Sequence, residues 1–227
     1  IGNRWILSGP AGICREGWNA MTAPEVHAHE GHESHEGVVR CSWAEASQSE
    51  RLYHDGEWGV PLRNERMLFE LLCLESMQAG LSWRTVLEKR EGYRRAFHHF
   101  DIARVAGMED DELTALLDDS GIIRNRRKIW AIRANARAAL AVKEQQNLVD
   151  YLWRHVGGCP VQNAWRSVAD VPSMTEASER MSRDLKRDHF KFVGPTTCYA
   201  FMQSSGMVND HLVGCYRHGE VQGAVRD

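Results

Sequence analysis

No surplus of positive charge runs through this chain: 28 lysines and arginines stand against 31 aspartates and glutamates, a net charge of -3 at pH 7. A nucleic-acid partner would have to be met by a local basic surface, not by the field of the whole molecule. No run approaches the roughly 18 apolar residues of a membrane span, so no membrane partner is expected. No secretory signal stands out, although residue 1 is Ile and Met21 could serve as an internal start. The six cysteines lack the spacing of a disulfide framework. They read as reduced thiols, some of them candidate metal ligands, in a cytoplasmic protein. Alternating strand patterns and internal repeats are both missing, which leaves an all-α body. At 227 residues and 43% hydrophobic content the chain can bury a sizeable core, as one large domain or two small ones.

Residues 1–37 stand apart. Pro10, Gly12, Gly17, Pro24 and Gly31 interrupt any periodicity, and His27, His29, His32 and His35 alternate with Glu30, Glu33 and Glu36. Such a tract could bind a metal ion. With no apolar face to dock it, the segment is expected to be a flexible leader, and residues 38–227 form the body. The body opens with a loop-rich, aromatic stretch that holds Trp43, Tyr53 and Trp58 among glycines and Pro61. A polar loop so rich in aromatics reads as a binding wall.

Helices follow. Asp101 is an expected N-cap for Ile102–Gly107. Asp110 or Asp111 begins the next helix, with Leu113, Leu116 and Leu117 inside it and Gly121-Ile122-Ile123 at its end. Asn125–Val142 forms a long helix with Ile129, Ile132, Ala136 and Leu140 on one face, and Leu148–Val156 adds another. Ser173 and Glu176 read as a capping box. Gly194-Pro195 opens a last core helix that Gly206 closes.

The most informative stretch is Leu68 to Trp83. Leu68, Leu71, Leu72 and Glu75 fall at i, i+3, i+4 and i+7 and share one helix face. Glu75 thus occupies a position where leucine is expected, and an ionised carboxylate there is costly without a partner. The helix breaks at Ala79-Gly80, and Ser82 starts another with Trp83 in its first turn. An acid and an indole across a short glycine turn suit a flat, cationic or amine-bearing ring. A cap for a neighbouring helix and a plain core tryptophan fit the same residues.

Two further constellations stand out. Cys41 and His54 flank the aromatic loop, while His211 and Cys215 sit at i and i+4 near the other end, on one face if that segment is helical. Two cysteines and two histidines complete a tetrahedral zinc site with no open position, hence a structural ion. Spacing does not link the halves, and from spacing alone unliganded buried cysteines with surface histidines are the favoured reading. The second is Leu117-x-x-x-Gly121-Ile122 followed by Arg124, Arg126, Arg127 and Lys128. Two helices joined by a tight glycine turn, with basic residues at the second helix's start, make an anion site. A solvated basic face is the alternative.

Taken together, residues 41–215 resemble the 3-methyladenine DNA glycosylase I family. The matching blocks are Tyr53-His54-Asp55-x-Glu57-Trp58-Gly59-Val60-Pro61, Leu74-Glu75-x-x-Gln78-Ala79-Gly80-Leu81-Ser82-Trp83, Gly121-Ile122-Ile123-Arg124-x-Arg126-x-Lys128-Ile129, Phe190-Lys191-Phe192-Val193-Gly194 and Val208-Asn209-Asp210-His211. The resemblance implies a helix-hairpin-helix glycosylase fold in which one zinc ion, held by Cys41, His54, His211 and Cys215, joins the N- and C-terminal segments. It implies that Glu75 and Tyr53 hydrogen-bond the excised base, that Trp83 stacks on it, and that Trp43 and Trp58 line the same pocket. It implies hydrolysis of the N-glycosidic bond without strand cleavage, on double-stranded alkylated DNA, by a monomer. Leu81 becomes the wedge into the duplex, and Gly121, Arg124, Arg126 and Lys128 the phosphate contacts. One departure stands at Glu50, where some relatives carry an aromatic. Two other readings remain open at this point: a non-catalytic DNA-binding module with structural zinc, which has no use for an acid beside Trp83, and a small-molecule purine enzyme, which has no use for the basic hairpin.

Overall fold

The computed structural model describes residues 37–223. The expected leader, Gly37 apart, and its histidine–glutamate tract lie outside the described residues. The body is helical, as expected. A 3-10 turn over Ser42–Ala46 leads into α1 (Gln48–Gly56). There Ser47 accepts the Glu50 amide at 3.2 Å and the Glu50 carboxylate accepts the Ser47 hydroxyl at 2.7 Å. Then come α2 (Glu65–Gln78), α3 (Trp83–Glu88), α4 (Arg90–Ala96), α5 (Ile102–Gly107) and α6 (Asp110–Ala115). The long α7 (Arg126–Lys143), α8 (Leu148–Trp153), α9 (Glu176–Arg187), α10 (Pro195–Ser204) and α11 (Tyr216–Gly223) complete the order.

The hub is α2. Every residue from Leu68 to Met77 is buried, and α3, α7, α8 and α10 pack around it. A helix wrapped on all sides is apolar all round, not along one stripe. Its two buried acids, Glu70 and Glu75, are the exceptions to that rule. Glu70 is paired with Arg90 (2.6 Å) and Arg94 (2.7 Å). The helix ends at Ala79, Gly80 turns the chain with φ +78°, and Ser82 caps α3 by accepting the Thr85 amide at 3.3 Å. The loop between α1 and α2 is stitched onto the end of α10. Gly59 and Leu62 donate to the Gln203 and Ser205 carbonyls, and Gly206, at φ +67°, lies so near this loop that a Cβ would sit 2.4 Å from the Pro61 nitrogen.

Several expected boundaries shift. The helix at Asp110 is capped by Glu109, whose amide donates to Glu112 at 2.8 Å. It ends at Ala115, so Leu116 and Leu117 belong to the turn. The cap before α9 is Thr175 with Ser178, not Ser173 with Glu176; both pairs have capping chemistry, and the chain uses the one next to the apolar face. A parallel pair, Val161↔Val208 and Gln162↔Asn209, forms β1 (Val161–Gln162) and β2 (Val208–Asn209), too short to leave an alternating signature. His211 and Cys215 do not share a helix face. They meet across a turn in which the Cys215 amide donates to the Leu212 carbonyl at 2.7 Å. Of the described cysteines, Cys41, Cys73, Cys198 and Cys215 are free. Cys159 is disulfide-bonded, which corrects the expectation of reduced thiols throughout; no spacing in the sequence marks its pairing.

Candidate active site and metal centre

A cavity of about 300 Å³ opens where α1, α2, α3 and α10 converge, within the size range of small-ligand sites. Glu75 lines it from α2, Tyr53 from α1 and Trp83 from the first turn of α3, with Trp43 and Trp58 on the N-terminal side. All five residues expected to surround a base therefore share one space. The Tyr53 and Trp83 rings lie 5.3 Å apart, tilted by 52°. Trp43 and Trp58 meet edge to face at 5.1 Å. Glu50 is also in the wall. Its carboxylate is 3.3 Å from the Arg84 guanidinium, so this wall is polar but locally neutralised.

Glu75 is 5% exposed. Burial pushes its carboxyl up to about 8, and the Ser204 hydroxyl only partly offsets this. Burial likewise raises the Tyr53 phenol, and the charge of Glu75 adds to it. The Tyr53 hydroxyl and the Trp83 indole N–H make no hydrogen bond among the described residues. Two buried donors without acceptors, beside an acid without a cation, cost free energy. Two polar wall residues are given no role in the sequence reading. Gln203 comes from α10, and Asp210 from the segment after β2. Asp210 accepts four hydrogen bonds: from Asn163 (2.6 Å), Trp165 (2.8 Å), Tyr199 (2.6 Å) and Gln203 (2.7 Å). Those donors come from loops and helices far apart in sequence, so no local pattern could announce them.

Beside this cavity the four candidate metal ligands come together. Cys41, His54, His211 and Cys215 are all buried, with donor atoms within 4.8 Å of one another. Cys215 Sγ is 3.4 Å from His54 Nε2 and 3.6 Å from His211 Nδ1, and Cys41 Sγ is 3.8 Å from His211 Nδ1. A tetrahedral zinc site with ordinary Zn–S and Zn–N bonds has edges of roughly 3.3–3.8 Å. The outer nitrogens are occupied as a metal site requires: His54 Nδ1 lies 2.8 Å from Asp55 and His211 Nε2 lies 3.0 Å from the Trp58 carbonyl. The Cys41 thiol holds that of Cys215 down, and Cys215 pushes that of Cys41 up, each being the chief influence on the other. The cluster fits a closed, four-ligand divalent ion. His54 and His211 pack edge-on against Trp43 and Trp58, with ring centroids 5.4 and 4.6 Å apart, so the cluster also supports the aromatic wall of the cavity.

The basic hairpin divides. Arg124, Arg126 and Arg127 are exposed at the start of α7, and Arg126 stacks over Trp130 at 4.1 Å. Gly121 packs against Gly92 of α4 and donates its amide to Asp119 at 2.7 Å. Lys128 is a correction to the expected phosphate contacts. It is buried, and its ammonium donates to the Met77 and Ala79 carbonyls at 2.7 and 2.8 Å. It closes the C-terminal end of α2, where cations are favoured, and is 6% exposed. Leu81, at the tip of the turn thus secured, is 41% exposed.

A family model described as methyladenine glycosylase matches residues 43–218. The DNA-3-methyladenine glycosylase 1 of Escherichia coli strain K12 is 48% identical over 179 residues, covering 78% of this chain and 96% of its own. The DNA-3-methyladenine glycosylase of Haemophilus influenzae is 47% identical over 78% of this chain and 97% of its own. Among solved structures, a 3-methyladenine DNA glycosylase I superposes with a TM-score of 0.77 at 48% identity, covering 78% of this chain and 98% of its own. The Staphylococcus aureus 3-methyladenine DNA glycosylase I, from work on 3-methyladenine recognition, does so with a TM-score of 0.76 at 34% identity, over 78% and 95%. With the model and the relatives in agreement over the whole helical body, the chain belongs to the methyladenine glycosylase family.

Proposed function

We propose that this chain releases 3-methyladenine from alkylated double-stranded DNA by hydrolysing the N-glycosidic bond, as a monomer and without cutting the strand. The observation that carries this reading is the uncompensated acid Glu75 in an aromatic cavity next to two unpaired donors. Methylation at N3 makes adenine cationic and weakens its bond to the sugar, so little protonation of the leaving group is needed. The protein's share is exposure and selection. Extruding the nucleotide costs a few kcal/mol, least for a damaged base, and stacking on Trp83 returns about 1–3 kcal/mol.

Selection falls to Glu75. With its carboxyl at about 8, the base-free cavity holds a protonated acid at neutral pH. A cationic purine favours loss of that proton to solvent and then faces a carboxylate; neutral adenine offers no such charge. The Tyr53 hydroxyl and Trp83 N–H are free to complete the contacts. A catalytic aspartate is not in evidence, since both oxygens of Asp210 are already filled. Among the described residues no lysine lines the cavity, which supports simple hydrolysis. In this reading Leu81, between the lining residues Gln78 and Trp83, fills the gap left by the flipped base, and Arg124 and Arg126 hold the phosphates. One zinc ion in the cysteine–histidine cluster would fasten the two ends of a body spanning residues 38–227, a structural part for the metal. A base-release assay on methylated DNA tests the reading. Wild-type protein is expected to liberate 3-methyladenine and Glu75→Gln to do so poorly with its fold intact; full release by the variant removes Glu75 from the mechanism.

A further inference from the structure

Charge alone cannot separate 3-methyladenine from 3-methylguanine, because both are cationic. The two differ at position 2, where guanine alone carries an amino group, and at position 6, where adenine presents an amino donor and guanine an oxo acceptor. We infer that Gln203, locked by Asp210, reads the latter position by presenting its amide oxygen to the cavity, so that the site selects a purine with an amino group at position 6. This rests on the glycosylase reading above.

The orientation of Gln203 follows from its partner. Asp210 is 2% exposed, and four donors converge on its carboxylate, which has no hydrogen of its own to offer. Only the amino end of the Gln203 amide can stand 2.7 Å from Asp210 Oδ2. The amide oxygen makes no hydrogen bond among the described residues, and the side chain lines the same cavity as Glu75. An incoming base therefore meets an acceptor there. The Trp165 indole fixes what a mutation must do. It is a donor only, and it bonds Oδ1 at 2.8 Å. In Asp210→Asn the amide oxygen must stay on the Trp165 side, and the new amino group faces Tyr199 and Gln203. The Tyr199 hydroxyl can turn to accept; Gln203 must flip, which presents its amino group to the cavity.

The experiment measures release of 3-methyladenine and 3-methylguanine from the same methylated duplex, as kcat/KM for each. Gln203→Met, which keeps length and loses both polar ends, is expected to shrink the preference for 3-methyladenine by about threefold to tenfold, the value of one hydrogen bond. Asp210→Asn is expected to shrink it further by slowing 3-methyladenine and speeding 3-methylguanine. A general loss of packing would slow both bases alike. An unchanged ratio in folded, active Gln203→Met overturns the inference, and that variant decides alone if Asp210→Asn does not fold. Release of neither base by wild-type protein would remove the glycosylase reading and this inference with it; release of 3-methyladenine with a ratio insensitive to Gln203 would remove only the inference.

Discussion

Glu75→Gln is expected to stabilise the protein while disabling it, and the gain should depend on pH. The ordinary carboxyl value of 4.5 rises in the fold to about 8 because the group is buried. Between these values the folded state holds a proton that the unfolded state has released. Stability therefore falls as pH rises through this window and levels off above it. Each tenfold difference in proton affinity between the two states is worth about 1.4 kcal/mol, so the loss between pH 5 and pH 8 is at most roughly 3.5 kcal/mol. Glutamine has the same shape and never ionises, so the variant escapes the loss. For a chain of this length each kcal/mol moves the melting temperature by about 2–4 °C. The lead of the variant over wild type, small near pH 5, should therefore widen by roughly 7–14 °C on going to pH 8. Differential scanning calorimetry of both proteins in matched buffers measures this, and the same-pH difference cancels the other titrating groups. A gap that stays flat from pH 5 to pH 8 would show that the acid is solvated or already paired, and the account of how the cavity recognises a cation would fail with it.

Removing the metal should unfasten the body. A closed zinc site contributes on the order of 10 kcal/mol to folding, so chelation, or Cys41→Ser combined with His211→Ala, is expected to lower the melting temperature sharply; wild-type protein without one equivalent of zinc by elemental analysis would refute the assignment. Lys128→Met leaves the Met77 and Ala79 carbonyls without their donor and should cost roughly 1–3 kcal/mol of stability. The salt dependence of its DNA binding should match wild type, and a slope smaller by about one ion would return Lys128 to the phosphate contacts. Arg126→Ala should show the reverse: weaker binding to undamaged duplex, a smaller salt slope, and little change in melting.

How far the sequence can be read depends on whether the signal is local. The Glu75 position, the glycine turn and the Ser82 start of α3 depend on helical spacing and capping within about fifteen residues, and the structure places them as expected. The four metal ligands lie at opposite ends of the chain; only the family resemblance joins them, and the turn that brings His211 to Cys215 has no helical spacing to read. Lys128 misleads when its charge is given more weight than its position. With Ile132, Asn135 and Ala139, all buried, it falls at i, i+4, i+7 and i+11, the inward face of α7, and that period is present in the sequence. Gln203 and Asp210 offer no signal of their own. Their roles exist only once α10, β2 and the loop holding Asn163 and Trp165 have come together.

Glu70 and Glu75 lie on one buried helix, and their contrast bears on the proposed use of the cavity. A buried carboxylate is tolerated where cations and hydrogen bonds replace water. Glu70 receives that treatment from Arg90 and Arg94, and Arg90 is tied in turn to Glu57 at 2.7 Å. Truncating Glu70 would strand these guanidiniums, at a cost of about 3–5 kcal/mol. Five residues on, Glu75 has no cation among the described residues and lines a hollow. The fold thus supplies one acid on α2 with its counter-charge; in the proposed function the other finds it in a ligand. On this argument the two substitutions Glu70→Gln and Glu75→Gln, equal in chemistry, should move stability in opposite directions, and a cationic base should raise the melting temperature of the Glu70→Gln variant but not that of Glu75→Gln.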